Sequence, residues 1–212
     1  MLPVRVFFEK RGCAAYISHL DVQRAVIRAL LRSGCRPAFT EGFNPHIKLA
    51  FAMPLSLFQE STYEIFDFSV LNDGITYEEI LLRLRDVFPD ELRPYAVSAP
   101  IKKLSSLKEA SYDVFVNVSA DSTLSDDNFL LTDDIKVMKK GKNGITEVNI
   151  RPLIHSFTVD DDDGQLILHV KCDCGSQSHL NVAYLCEWFG LRPEDYKVVR
   201  TGLYDGDGEL LK

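Results

Sequence analysis

Residues 41–48 read EGFNPHIK and set Gly42, Phe43, Asn44, Pro45, His46 and Lys48 between the apolar runs GCRPAF and LAFAMPL. Glycine permits a positive φ, and an Asn-Pro step fixes a turn because the residue before proline is held extended. Neither explains an imidazole and an ammonium in succession. An alternating strand from 46 onward sends His46, Lys48 and Ala50 to one face and Ile47, Leu49 and Phe51 to the other. The second set can enter a core. His46 and Lys48 then face a ligand, with Asn44 shaping the contact and Phe43 either stacking on a base or packing under the loop. The alternative is a histidine that only hydrogen-bonds the loop to itself.

A second constellation lies upstream in YISHLDVQRAVIRALLRSG (16–34). Arg24, Arg28 and Arg32 are spaced i, i+4, i+8, which puts them in one stripe at 3.6 residues per turn. Guanidinium groups offer planar forks of donors that suit phosphate. The alternative is a solvated face paired with acids. Ser18 and His19 stand where this helix begins, a place that favours anions. There His19 can bind a phosphate or act as acid or base. Two histidines at one site, His19 and His46, would allow cleavage of a phosphodiester without metal. The sequence leaves open whether they meet.

Other candidates carry less. HVKCDCGSQSH (169–179) contains His169, Cys172, Cys174 and His179. It has no C-x2-C pair, and alternation puts Cys172 and Cys174 with Val170 and His169 on the opposite face, so no metal is expected. The run Asp160–Asp163 before Gly164 has no terminal Glu and no alternating ligands, and reads as a hairpin tip. There is no Gly-rich phosphate loop, no G-x-S-x-G and no C-x3-C-x2-C cluster, so no cofactor is expected.

These groups need elements to hold them. The chain has 212 residues, 46% hydrophobic and 26% charged, enough for a core without disulfides or metal. Its apolar runs reach roughly five residues, against roughly 20 for a membrane span. MLPVRVFFEKRG does not read as a secretory signal, so a cytoplasmic protein with five reduced cysteines is expected. The net charge of −7 is uneven: residues 1–48 hold eight Lys/Arg against three acids, and residues 104–212 hold eleven against nineteen. A basic face on an acidic protein is the informative feature.

VRVFFEK (4–10) alternates as a strand, and the helix over 16–34 has Ser18 as cap and Gly34 as stop. HIKLAFAM (46–53) and TYEIFDFSV (62–70) read as strands, TYEEILLRLRDVF (76–88) as a helix and RPYAVSAPI (93–101) as a strand. The order β-α-β-β-α-β is that of a ferredoxin-like, split-βαβ unit. The second half repeats it loosely. YDVFVNVSA (112–120) begins it, and 121–134 stands in for the first helix as a short helix or loop. IKVMKK and GITEVNIRPLI flank a turn at 142–144, HSFTV and QLILHVKC form a hairpin, 179–190 is a helix and 196–204 closes. The expected class is α+β, with two tandem ferredoxin-like units, the second degenerate: residues 1–103 with the basic helix and the GFNPH loop, and the acidic residues 104–212.

At Ile17-Ser18-His19-Leu20-Asp21 and Gly42-Phe43-Asn44-Pro45-His46 the chain resembles the radical-SAM-linked proteins, a family fused to or encoded beside cobalamin-binding-type radical SAM proteins. ITEVNIRPLI (145–154), Gly175-Ser176 and VVRTGLY (198–204) echo it. Family members carry a second proline where Ile47 stands and a glycine near Phe58. The resemblance implies a radical SAM partner that carries the cluster and cofactor, and gene neighbours for ribosomal proteins and ribonucleases hint at RNA, such as tRNA or the ribosome. The leading expectation is a non-catalytic module that binds structured RNA and presents it to that partner, with Arg24, Arg28, Arg32 and Lys48 on phosphates and Ser18, His19, Phe43, Asn44 and His46 shaping the contact. Two rivals are a metal-independent endoribonuclease using His19 and His46, and a pure protein-interaction module.

Overall fold

The computed structural model describes residues 1–71, 74–117, 129, 132–141 and 144–212. Most of the segment 121–134, expected as a short helix or loop, lies outside them, as do residues 142–143 of the expected turn. The chain is α+β, mostly strands. It divides into two compact units, Met1–Leu107 with Leu210–Lys212, and Lys108–Glu209. The last three residues thus sit with the first unit, where the sequence division at 103/104 put them in the second.

In the first unit, β1 (Leu2–Lys10) lies between β4 (Pro94–Ser98) and β3 (Gln59–Val70), and β3 also pairs with the short β2 (Leu49–Phe51). The described pairings are antiparallel. The alternation of β1 sets Val4, Val6 and Phe8 on one face, and register brings Phe68 and Phe66 beside Val4 and Val6. Onto this face pack α1 (His19–Arg32) through Val22, Val26, Ala29 and Leu30, and α2 (Tyr77–Arg85) through Ile80 and Leu84. Each fully buried Leu, Ile or Phe side chain contributes about 1.5–3 kcal/mol. Both helices begin on a hydroxyl: Ser18 accepts from the Asp21 N–H and Thr76 from the Glu79 N–H. Gly34, at φ +69, turns the chain out of α1, and Arg83 donates to its carbonyl at 2.9 Å.

The expected strand over 46–53 is shorter. Ile47 makes an isolated bridge to Phe39, and only Leu49–Phe51 joins the sheet. The preceding segment turns back on itself instead, with Thr40 N–H donating to the His46 carbonyl and Lys48 N–H to that of Ala38.

In the second unit the strand order is β10 (Tyr196–Asp205), β5 (Leu107–Val116), β9 (Gln165–Asp173), β8 (Ile154–Asp162), with β6 (Lys136–Gly141) and β7 (Gly144–Asn149) as a separate ribbon. Asp163 and Gly164, at φ 51 and 86, make the two-residue tip of the β8–β9 hairpin. The helix expected over 179–190 is only α3 (Ala183–Trp188). Its first residues are taken by sheet-like pairing: His179 bridges Cys174, and the Leu180 N–H donates to the Asp173 carbonyl.

Candidate nucleic-acid interface

The arginine stripe lies on the solvent side of α1, opposite the buried valines and leucines. Arg24 pairs with Asp21 at 2.9 Å. Arg32 donates to the Val87 carbonyl at 2.8 Å, which ties the end of α1 to the chain after α2. Arg28 is exposed and meets no carboxylate among the described residues. Two of the three guanidiniums therefore keep part of their fork on the protein, and the third is open to solvent. All three present positive charge outward.

Ser18 and His19 are occupied within the fold. The Ser18 hydroxyl donates to the Asp21 carboxylate at 2.6 Å while capping its N–H. That hydroxyl, and after it Arg24, hold the Asp21 carboxyl below its ordinary range. A carboxylate already fills the first turn of α1, so an external phosphate there meets like charge. His19 is half-buried, with Nε2 at 3.0 Å from the Gln23 side-chain nitrogen and its ring edge-to-face on Phe51 at 5.2 Å.

The GFNPH loop behaves differently. Gly42 takes φ +123, and a Cβ there would meet nothing within 4 Å, so the requirement for glycine is one of backbone conformation. Phe43 is fully exposed at the tip. Ile47 turns into the core while His46 and Lys48 turn out, as the alternation requires. The Thr40 hydroxyl accepts from the His46 N–H and lies 3.1 Å from His46 Nδ1. The histidine thus braces its own loop. Beside it opens a cavity of about 480 Å³ whose lining includes Thr40, His46, Lys48, Asp67 and Ser69. Its Asp67 is held by Arg5, fully buried in β1, through two bonds of 2.7 Å. Arg5 also donates to the Lys212 carbonyl at 2.8 Å.

These facts separate the two constellations. Ala50 pairs across from Asp67, on the sheet face that carries Arg5, and His46 and Lys48 share that face. The face of Phe51, Phe66 and Ile47 carries α1, α2 and His19. His19 and His46 therefore stand on opposite sides of β2. Lys48 and His46, expected to share one contact with the arginines of α1, line the loop groove on the far side of the sheet from that helix.

One feature of the surface was not legible from spacing. Tyr16 ends a short 3-10 turn (Gly12–Tyr16) just before α1, and Phe58 precedes β3. Their rings meet edge-to-face at 5.9 Å, yet they stay 70% and 71% exposed. Phe58 has φ +66, a left-handed backbone that costs a non-glycine residue about 1–2 kcal/mol. No residue type in the stretch PLSLFQE (54–60) signals it.

In the second unit Cys172, Cys174 and Cys186 are buried, and burial pushes the Cys172 and Cys186 thiols up, which keeps them protonated and inert. His169 lies 2.7 Å from Asp113 and His155 2.6 Å from Asp173. Among the described residues no group of three or more His, Cys, Asp or Glu gathers as metal ligands do. No helix among them is long and apolar enough to cross a membrane.

Comparison with known proteins gives a family and no described activity. No curated protein matches the chain. One family, described as "uncharacterized protein conserved in bacteria" (DUF2344), matches residues 4–182, from the start of β1 to the threshold of α3. The match takes in both constellations and most of the second unit, and the chain belongs to this DUF2344 family of bacterial proteins.

Proposed function

We propose that the chain is a non-catalytic RNA-binding module of the cytoplasm that presents its ligand to a radical SAM partner. The observation that carries the reading is the file of Arg24, Arg28 and Arg32 along the solvent face of α1, with Arg28 unanswered by any described carboxylate. A helix rises 1.5 Å per residue, so the three stand about 6 Å apart along its axis, a spacing that successive phosphates of one strand can follow. The placement of His19 and His46 on opposite sides of β2, each engaged locally, favours binding over cleavage. The strand order β4-β1-β3-β2, with both helices on one face, fits a ferredoxin-like first unit, and we read the second as a degenerate copy. The partner rests on the resemblance at ISHLD and GFNPH.

The test is the salt dependence of RNA affinity. Each phosphate contact contributes about 0.7 to the slope of log K against log salt for a single strand. The variant Arg24→Ala/Arg28→Ala/Arg32→Ala is expected to bind more weakly and to flatten that slope by about 2. A slope unchanged by the triple substitution refutes the assignment. Cleavage of RNA by the purified, metal-free protein, abolished in His46→Ala, would replace binding with catalysis.

A further inference from the structure

The geometry points to a base-stacking platform at Tyr16 and Phe58, and so to unpaired rather than duplex RNA as the substrate class of the α1 surface; this rests on the reading of that surface as RNA-binding. Water disfavours two large exposed rings, and a left-handed backbone disfavours phenylalanine at position 58. The fold keeps both. The Phe58 N–H donates to the Ala15 carbonyl at 2.9 Å, which pins the strained residue beside the turn that carries Tyr16. Backbone strain held in place by surrounding structure is a mark of functional surface.

The chemistry of the pair selects its ligand. An edge-to-face pair covers one ring face and leaves the others open to a planar group. Tyr16 stands two residues before the Ser18 cap. Leu20, exposed on the first turn, leads one turn later to Arg24 and then to Arg28 and Arg32. Aromatic rings held just before the helix that carries a file of guanidinium groups supply the two components of single-strand recognition: stacking for bases and charge for the backbone. A duplex keeps its bases stacked inside and offers nothing for the rings to hold. A protein partner would use the same rings and leucines, but it would give the arginine file no regular anion to follow.

The experiment measures fluorescence anisotropy of a labelled, unstructured oligoribonucleotide and of its duplex, with the full chain, Phe58→Gly and Tyr16→Ala, alongside thermal melting. Glycine accepts the positive φ, so Phe58→Gly is expected to melt at the same temperature as the parent or higher. The same variant is expected to lose about 5- to 100-fold in affinity for the single strand. Tyr16→Ala loses affinity in the same direction, and duplex binding is weaker than single-strand binding and insensitive to both. Single-strand affinity unchanged in both variants, while the triple arginine variant still weakens it, overturns the platform and leaves the α1 reading standing. Absence of binding to either RNA at low salt overturns both. A protein partner whose retention on the chain depends on Phe58, with RNA binding indifferent to it, overturns the platform in favour of protein docking.

Discussion

Replacing Asp67 by alanine tests the buried ion pair beneath the loop groove. Arg5 is fully buried, and its fork meets both Asp67 oxygens at 2.7 Å and the Lys212 carbonyl at 2.8 Å. Alanine leaves the buried guanidinium with the Lys212 backbone oxygen as its one acceptor among the described residues. Removing one partner of a buried pair costs about 3–5 kcal/mol. The Asp67 side chain is 22% exposed, so water can take part of its place; the expected loss is about 2–4 kcal/mol. With a urea m-value of about 2–3 kcal/mol per M, the midpoint falls by about 1 M. Far-UV circular dichroism with hydrogen exchange of β1 and β3 amides reads this. The single tryptophan, Trp188, belongs to the second unit and is the wrong probe. The paired change Arg5→Met/Asp67→Leu removes both charges, and it is expected to recover most of the stability. A loss below about 0.5 kcal/mol in Asp67→Ala would show that Arg5 reaches solvent or other acceptors, and would refute the account of the groove floor.

Two further outcomes are expected. Asp21 is held below its ordinary value of 3.8 in the folded protein, first by the Ser18 hydroxyl and then by Arg24. Its contribution is therefore complete above that value and is lost as pH falls through the lower folded value; Asp21→Asn should make acid unfolding shallower, and an NMR titration of Asp21 at or above 3.8 would contradict this. Gly202 has no room for a methyl group, since a Cβ there would lie 2.7 Å from the Tyr204 hydroxyl and 2.9 Å from the Ser111 hydroxyl. Gly202→Ala should cost about 1–3 kcal/mol by calorimetry, and a neutral result would mean that Tyr204 swings away from its place under Lys171.

What could be read from the chain was local. Ser18 announced itself as the cap of α1 by its type and place, and the structure has it accept from the Asp21 N–H. Alternation assigned Ile47 inward and His46 and Lys48 outward before any pairing was known. A hairpin tip within Asp160–Gly164 followed from composition, and the two positive φ values fall on its last two residues. What could not be read was relational. Periodicity tells which face of α1 is wet, but not which side of the sheet the helix covers, and that choice parted His19 from His46. Arg5 looked like one more positive charge in the basic stretch, because its partner Asp67 lies 62 residues away. Helix length failed at α3 because apolar periodicity in 179–190 is silent about Cys174, whose strand claims the first residues. Phe58 defeats propensity outright, since nothing in the letter F suggests a left-handed backbone.

The bond from Arg5 to the Lys212 carbonyl spans 207 positions, and the amides of Ile101 and Lys102 converge on the same oxygen. Residues 108–209 are thus an insertion made between two parts of one folding unit. On a ribosome adding about 5–20 residues per second, those 102 residues take on the order of 5–20 s. Throughout that interval the nascent first unit has β1 and its helices, but its deepest arginine is short of an acceptor. The acceptor that completes the first unit is therefore supplied only after the whole of the second unit has been made.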